Sequence, residues 1–178
     1  PRSFIASASC AVMRGATPVF ADVCPESQNI TAESIARVIT KRTRAIIAVH
    51  LEGWPCEMDT IMALADQYNL WVIEDAAEAH GALYKGKKVG SIGHIGCFSF
   101  YANKMVTCGE GGIVVTHDQK LHSLMYKLHN HAFDDDIHFW HEYLGYNFRL
   151  TNLQAALGCA QLERFDHFVE VRRRNAQE

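Results

Sequence analysis

Three residues of this sequence have the types and spacing to do chemistry together: Asp75, Ser99 and Lys104. Asp75 follows the apolar run Leu70-Trp71-Val72-Ile73, with Glu74 between. A carboxylate just past the end of a strand can take a ribose hydroxyl, a metal ion or a protonated ring nitrogen, because ligands of open α/β sheets bind at the carboxyl ends of strands. The ribose reading wants a GxGxxG loop about 20 residues earlier. None is present, and Gly90, Gly93 and Gly96 have the wrong spacing, which argues against a nicotinamide enzyme. Lys104 follows the strand-like run Cys97-Phe98-Ser99-Phe100-Tyr101 and precedes the turn Gly109-Glu110-Gly111-Gly112. A lysine so placed can point into a crevice at the sheet edge, where partial burial or a nearby cation supplies the neutral amine a nucleophile needs. Ser99 offers a hydroxyl to a phosphate oxygen. Pyridoxal phosphate needs such a set: a lysine to carry it, an acid for its ring nitrogen and donors for its phosphate. On spacing alone the bland alternative stands, since a lysine after a strand is more often solvated.

The elements that must position these residues are short and alternate. Strands are expected at Pro18–Asp22, Ala45–Val49, Leu70–Ile73, Cys97–Tyr101 and Ile113–Thr116, and helices at Thr31–Ile39, Met58–Tyr68, Leu121–Leu128 and Thr151 to about Val171. Thr31 and Thr151 are N-cap residues. Ala45–Val49 is continuously apolar, as strands buried on both faces are. Lys85-Gly86-Lys87-Lys88 reads as a hairpin turn. Strand and helix at these intervals predict an α/β sandwich with a largely parallel sheet.

The 178 residues are 48% hydrophobic and 21% charged, an ordinary globular composition. A net charge of −3 lacks the basic excess that nucleic acid requires. Arg172-Arg173-Arg174 ends a helical pattern, where cations suit the helix dipole. No apolar run approaches a membrane span. The six cysteines form no CxxC pair, so a reducing, cytoplasmic setting is expected. His129, His131, His138 and His141 surround Asp134-Asp135-Asp136, but their spacing matches no structural zinc pattern, and no metal is expected. Trp54, Trp71 and Trp140 read as core or interface residues.

Several ungapped segments resemble the DegT/DnrJ/EryC1/StrS family of sugar aminotransferases. They are Val72–Gly81 (VIEDAAEAHG), Cys97–Gly112 (CFSFYANKMVTCGEGG) and Gly145–Leu157 (GYNFRLTNLQAAL), with Gly15–Val19 and Thr43–Leu51. The resemblance runs from Phe4 to the end and implies the large domain of the fold type I pyridoxal-phosphate enzymes, a three-layer α/β/α sandwich. It implies that Lys104 carries pyridoxal 5'-phosphate and moves the proton during catalysis. By the same match, Asp75 bonds the pyridine nitrogen, Glu78 lies near the ring's phenolic oxygen, Ser99 binds phosphate and Phe4 stacks on the ring. Asn147 and Arg149 lie in a segment that reaches the partner's site in a homodimer. Glutamate is the implied amino donor and a nucleotide-linked keto sugar the acceptor. Asn103-Lys104, Met105–Cys108 and His138–His141 look most like the branch that aminates C4 of GDP-4-keto-6-deoxymannose, for surface polysaccharide. Dehydratases of the family replace the lysine with histidine, so Lys104 speaks against that activity. Family members are longer, and residues 1–178 read as a partial large domain without the upstream Gly-Thr segment and the C-terminal small domain. A non-catalytic fragment is therefore the reading from another class.

Overall fold

The computed structural model describes residues 2–134, 136, 137 and 139–178. The helices are α1 (Ala6–Met13), α2 (Ala32–Ala36), α3 (Met58–Tyr68), α4 (Gln119–His129), α5 (Asn152–Leu162) and α6 (Phe165–Asn175). The strands are β1 (Ala45–Val49), β2 (Trp71–Asp75), β3 (Leu83–Tyr84), β4 (Lys87–Lys88), β5 (Ile95–Ser99) and β6 (Gly112–Val115). Four strands make one sheet in the order β1-β2-β5-β6, and β3 pairs with β4 as a separate antiparallel hairpin. β1, β2 and β5 are parallel, as the alternation of strand and helix predicts. None of the helices among the described residues is long and apolar enough to cross a membrane.

The contacts divide the chain into two compact units, the first residues 1–99 with 112–114, the second residues 100–111 with 115–178. In the first unit, one face of the sheet is the core. Ile46, Ala48, Val72 and Glu74 are buried on it, alternating with half-buried or exposed neighbours. β1 is thus buried on one face rather than the two that its apolar run suggests. α3 packs Met58, Ile61 and Ala65 into the same core, one apolar stripe at helical spacing. It stops at Asn69, whose left-handed backbone (φ 51°) releases the chain into β2. Lys85 and Gly86 both take positive φ, the geometry of a two-residue hairpin turn, and place β3 beside β4.

The capping expectations hold. Thr31 and Thr151 each form a capping box, with Ser34 and Gln154 respectively, and Arg172, Arg173 and Arg174 fill the last turn of α6. Three secondary-structure expectations fail. Residues 18–22 form no strand; the nearby pairing is a single bridge between Val23 and Ile30. Thr31–Ile39 contracts to the five residues of α2. The long helix from Thr151 breaks in two, because Arg164 leaves helical geometry (φ −106°, ψ 10°) between α5 and α6. Trp54, Trp71 and Trp140 are exposed, not core.

The core of the second unit is small. Phe100, Val106 and Cys108 are buried against Leu150 and Phe165. Gly158 lets α5 approach it: a Cβ there would meet Cys108 Sγ at 2.7 Å.

Candidate active site

In the first unit the parallel register aligns Val49 and Asp75, at the carboxyl ends of β1 and β2, with Cys97 in the middle of β5. Paired residues share a sheet face, and side chains repeat every second residue. Asp75, Cys97 and Ser99 therefore lie on one face at one end of the sheet, opposite the core face that carries Glu74.

α1 supplies the next contact. Ser7 Oγ donates to Asp75 Oδ2 at 2.7 Å, and Ala77 N–H donates to Asp75 Oδ1 at 3.1 Å. Phe4 stands three residues before Ser7, its ring 77% exposed. Glu78 is exposed and accepts the backbone N–H of Glu52 at 3.0 Å, where the chain turns after β1. Cys97 is pushed up to about 11, by burial first and then by the negative charge of Asp75.

Behind Asp75, Glu74 is fully buried and organises the strand end. Its Oε1 accepts from Ile92 N–H (2.7 Å) and Gly93 N–H (2.6 Å). Its Oε2 accepts from Gly90 N–H (2.8 Å) and His50 Nε2 (2.9 Å). His50 Nδ1 accepts the Cys56 N–H at 3.1 Å, so the ring hydrogen facing Glu74 sits on Nε2. Gly90 and Gly93, two of the glycines that fit no dinucleotide pattern, thus serve this carboxylate. Burial would raise the pKa of Glu74, but the His50 bond and the three backbone donors hold it below the ordinary carboxylate value. The His50 backbone N–H also donates to the Asp75 carbonyl, tying the ends of β1 and β2 together.

In the second unit, Lys104 is half-buried in a loop closed at its base. The Phe100 carbonyl accepts from both Cys108 N–H and the Thr107 hydroxyl, each at 2.9 Å. Thr107 N–H donates to Gln161 of α5, and Val106 is fully buried. The backbone N–H of Lys104 donates to the Tyr101 carbonyl. Glu110 is a turn residue whose carbonyl accepts from Gln154, again on α5. Asn147 and Arg149 are exposed and bond each other, Arg149 Nε donating to Asn147 Oδ1 at 2.9 Å. Beside them Tyr146 and Phe148 stack at 5.0 Å.

Ser7, Glu74 with His50, and Thr107 escape the sequence reading. The signal for Ser7 is faint: Ser3 and Ser7 lie four apart, and their hydroxyls meet at 2.8 Å. Among the described residues, no three His, Cys, Asp or Glu side chains gather as metal ligands; Asp135 and His138 lie outside them. All six cysteines are free.

A parallel sheet with a carboxylate at the carboxyl end of a strand is the arrangement of an α/β enzyme that takes its ligand at the strand ends. The chain belongs to the DegT/DnrJ/EryC1/StrS aminotransferase family, whose model matches residues 1–178. It is 47% identical over 172 residues to the GDP-perosamine synthase of Caulobacter vibrioides, covering 97% of this chain and 46% of that protein. It is 45% identical over 175 residues to the UDP-N-acetyl-3-dehydro-alpha-D-glucosamine 3-aminotransferase of Acidithiobacillus ferrooxidans, covering 98% and 47%. Its fold matches the crystal structure of an aminotransferase from Psychrobacter cryohalolentis with a TM-score of 0.87 and 52% identity, over 92% of this chain and 44% of that one. The chain thus spans about half the length of the curated relatives it matches.

The family's cofactor is pyridoxal 5'-phosphate, and the donor set fits it. An ionised carboxylate has about four acceptor sites. Asp75 uses two of these in the bonds described, which leaves capacity for a ring N–H. Phe4 offers an uncovered aromatic ring to stack, Ser99 a hydroxyl on the Asp75 face, and Lys104 a primary amine on a constrained loop.

Proposed function

We propose that this chain is the cofactor-binding part of an aminotransferase that moves an amino group from glutamate to a nucleotide-linked keto sugar. GDP-4-keto-6-deoxymannose is the favoured acceptor. The observation that carries the reading is Asp75 fixed at the carboxyl end of β2, in a chain of this family that also carries Lys104 on a loop closed at its base. When bound, the cofactor supplies an electron sink that lets the α-proton of an amino acid leave. Asp75 holds the ring nitrogen in its protonated form. Lys104 would hold the cofactor through its amine, and that amine would carry the proton to and from the reacting carbon. Ser99 takes a phosphate oxygen, Phe4 covers one ring face and Glu78 faces the ring's phenolic side. Asn147 and Arg149 extend to the phosphate of a second copy, in a homodimer whose sites are shared.

The sugar assignment rests on similarity to GDP-perosamine synthases from several bacteria. A relative acting on a UDP-linked sugar is nearly as similar, so the nucleotide is the sharpest point to test. The purified protein should turn over GDP-4-keto-6-deoxymannose with glutamate, and borohydride should fix the cofactor to Lys104. Refusal of that sugar alongside turnover of a UDP- or dTDP-linked keto sugar overturns the substrate. A cofactor adduct on any residue other than Lys104 overturns the reading as a whole.

A further inference from the structure

The hydrogen bond between α1 and β2 has a direction, and the direction gives Ser7 a task. An ionised Asp75 can only accept. The single hydroxyl proton of Ser7 therefore lies toward Asp75 Oδ2, across 2.7 Å, the short distance of a charge-assisted O–H···O⁻ bond. Ser7 then has no proton left for Ser3, so in the 2.8 Å contact between the two hydroxyls Ser3 donates. The chain of donation runs Ser3, Ser7, Asp75. The other Asp75 oxygen is held by the Ala77 N–H. Both oxygens are thus oriented, one by its own strand end and one by a helix from a segment 68 residues away in sequence.

α1 itself buries no residue and has no side-chain cap at its N-terminus. Apolar packing therefore does little to fix its register against the sheet, and a short bond to a carboxylate at a strand end does much. Phe4 lies just before α1 and its carbonyl accepts the Ser7 N–H at 3.2 Å, so what fixes Ser7 also ties the backbone of Phe4.

We infer that Ser7 is a positioning residue for Asp75. Its hydroxyl turns the carboxylate toward the cofactor's ring nitrogen and sets the register of α1, hence of Phe4, over the same ring. This inference rests on the functional reading above. It assigns Ser7 no contact with the cofactor and no part in bond making.

The test compares Ser7→Thr with Ser7→Val, side chains of nearly one shape that differ by the hydroxyl. Pyridoxal phosphate affinity is read by absorbance titration of the cofactor-free protein, with the unfolding midpoint as a check on folding. Ser7→Thr should bind within about twofold of the parent, and Ser7→Val about tenfold more weakly, the fold-change expected for one hydrogen bond to a charged group. Ser7→Ala should behave as Ser7→Val. Equal affinity of the Thr and Val variants overturns the inference, as does parental affinity in Ser7→Ala. Borohydride trapping at Lys104 in the parent is the separate arm, because its failure strikes the functional reading and not Ser7. In that event a double-mutant cycle of Ser7→Val and Asp75→Asn, read by urea unfolding without cofactor, decides. Coupling of about tenfold in the unfolding constant supports the bond, and additivity overturns it.

Discussion

Glu74→Gln changes one atom and should cost much of the protein's stability. The buried carboxylate accepts four donors, two on each oxygen. Glutamine keeps one acceptor oxygen and replaces the other with an NH2 group, which donates. If the amide oxygen faces Ile92 and Gly93, the NH2 confronts Gly90 N–H and His50 Nε2–H. His50 cannot escape by moving its hydrogen to Nδ1, because Nδ1 already accepts the Cys56 N–H. The opposite orientation strands Ile92 and Gly93 instead. Either way two buried donors lose their acceptor, at about 1–3 kcal/mol each, or roughly 2–6 kcal/mol in all. Whole domains hold about 5–15 kcal/mol, so the loss is large. Urea unfolding at neutral pH should show a lower midpoint with the slope unchanged. A loss below about 1 kcal/mol would refute the account of Glu74 as the acceptor that closes this strand end. The variant should also change the acid limb. Because the native Glu74 is held below its ordinary value of 4.5, its ionisation stabilises the parent fully above that pH, and this contribution disappears as pH falls through the lower native value. Glutamine has no such step.

Other outcomes follow from the same structure. Lys104→Ala should lose the borohydride adduct and at least about 10²-fold in turnover, since a positioned acid–base group supplies about 10²–10⁴-fold; this is read by peptide mapping and steady-state rates. Gly158→Ala should destabilise by about 1–3 kcal/mol, because its Cβ would lie 2.7 Å from Cys108 Sγ; thermal melts measure it. Thr151→Ala should cost about 0.5–2 kcal/mol through loss of the capping box of α5. With iodoacetamide at pH 8, the exposed Cys10 and Cys159 should label before Cys56 and Cys97. Burial holds those two thiols up to about 12 and about 11, with Glu74 and Asp75 respectively adding repulsion of the thiolate. Mass spectrometry of timed samples gives the order.

The parts of the fold legible in the sequence are those whose pattern is local. β1, β2 and α3 announce themselves by an apolar run or a helical stripe between turn residues, and Thr31 and Thr151 by capping chemistry. Pro18-Val19-Phe20 looks like a strand for the same local reason, yet Val19 and Phe20 stay exposed and no ladder forms. The break at Arg164 leaves no mark because the sequence there carries neither glycine nor proline. Asp75, Ser99 and Lys104 stand out by type and place, and family resemblance assigns their tasks. The bond between Ser7 and Asp75 joins residues far apart in the chain, and no period or motif reports it. Glu74 and Asp75 are neighbours of one charge, and only the pleat separates them: one faces the core and braces the strand, the other faces the opposite side of the sheet and accepts from Ser7.

The loop that carries Lys104 is closed at its base. Its closure depends on Phe100, Val106, Thr107, Cys108 and Gln161, through backbone groups, the Thr107 hydroxyl, the Gln161 side-chain oxygen and buried side chains. None of these bonds uses the lysine side chain. A substitution at position 104 therefore leaves these closing bonds their donors and acceptors. For selection, such a loop is a socket: one backbone can be inherited intact while different chemistries are tried at its tip.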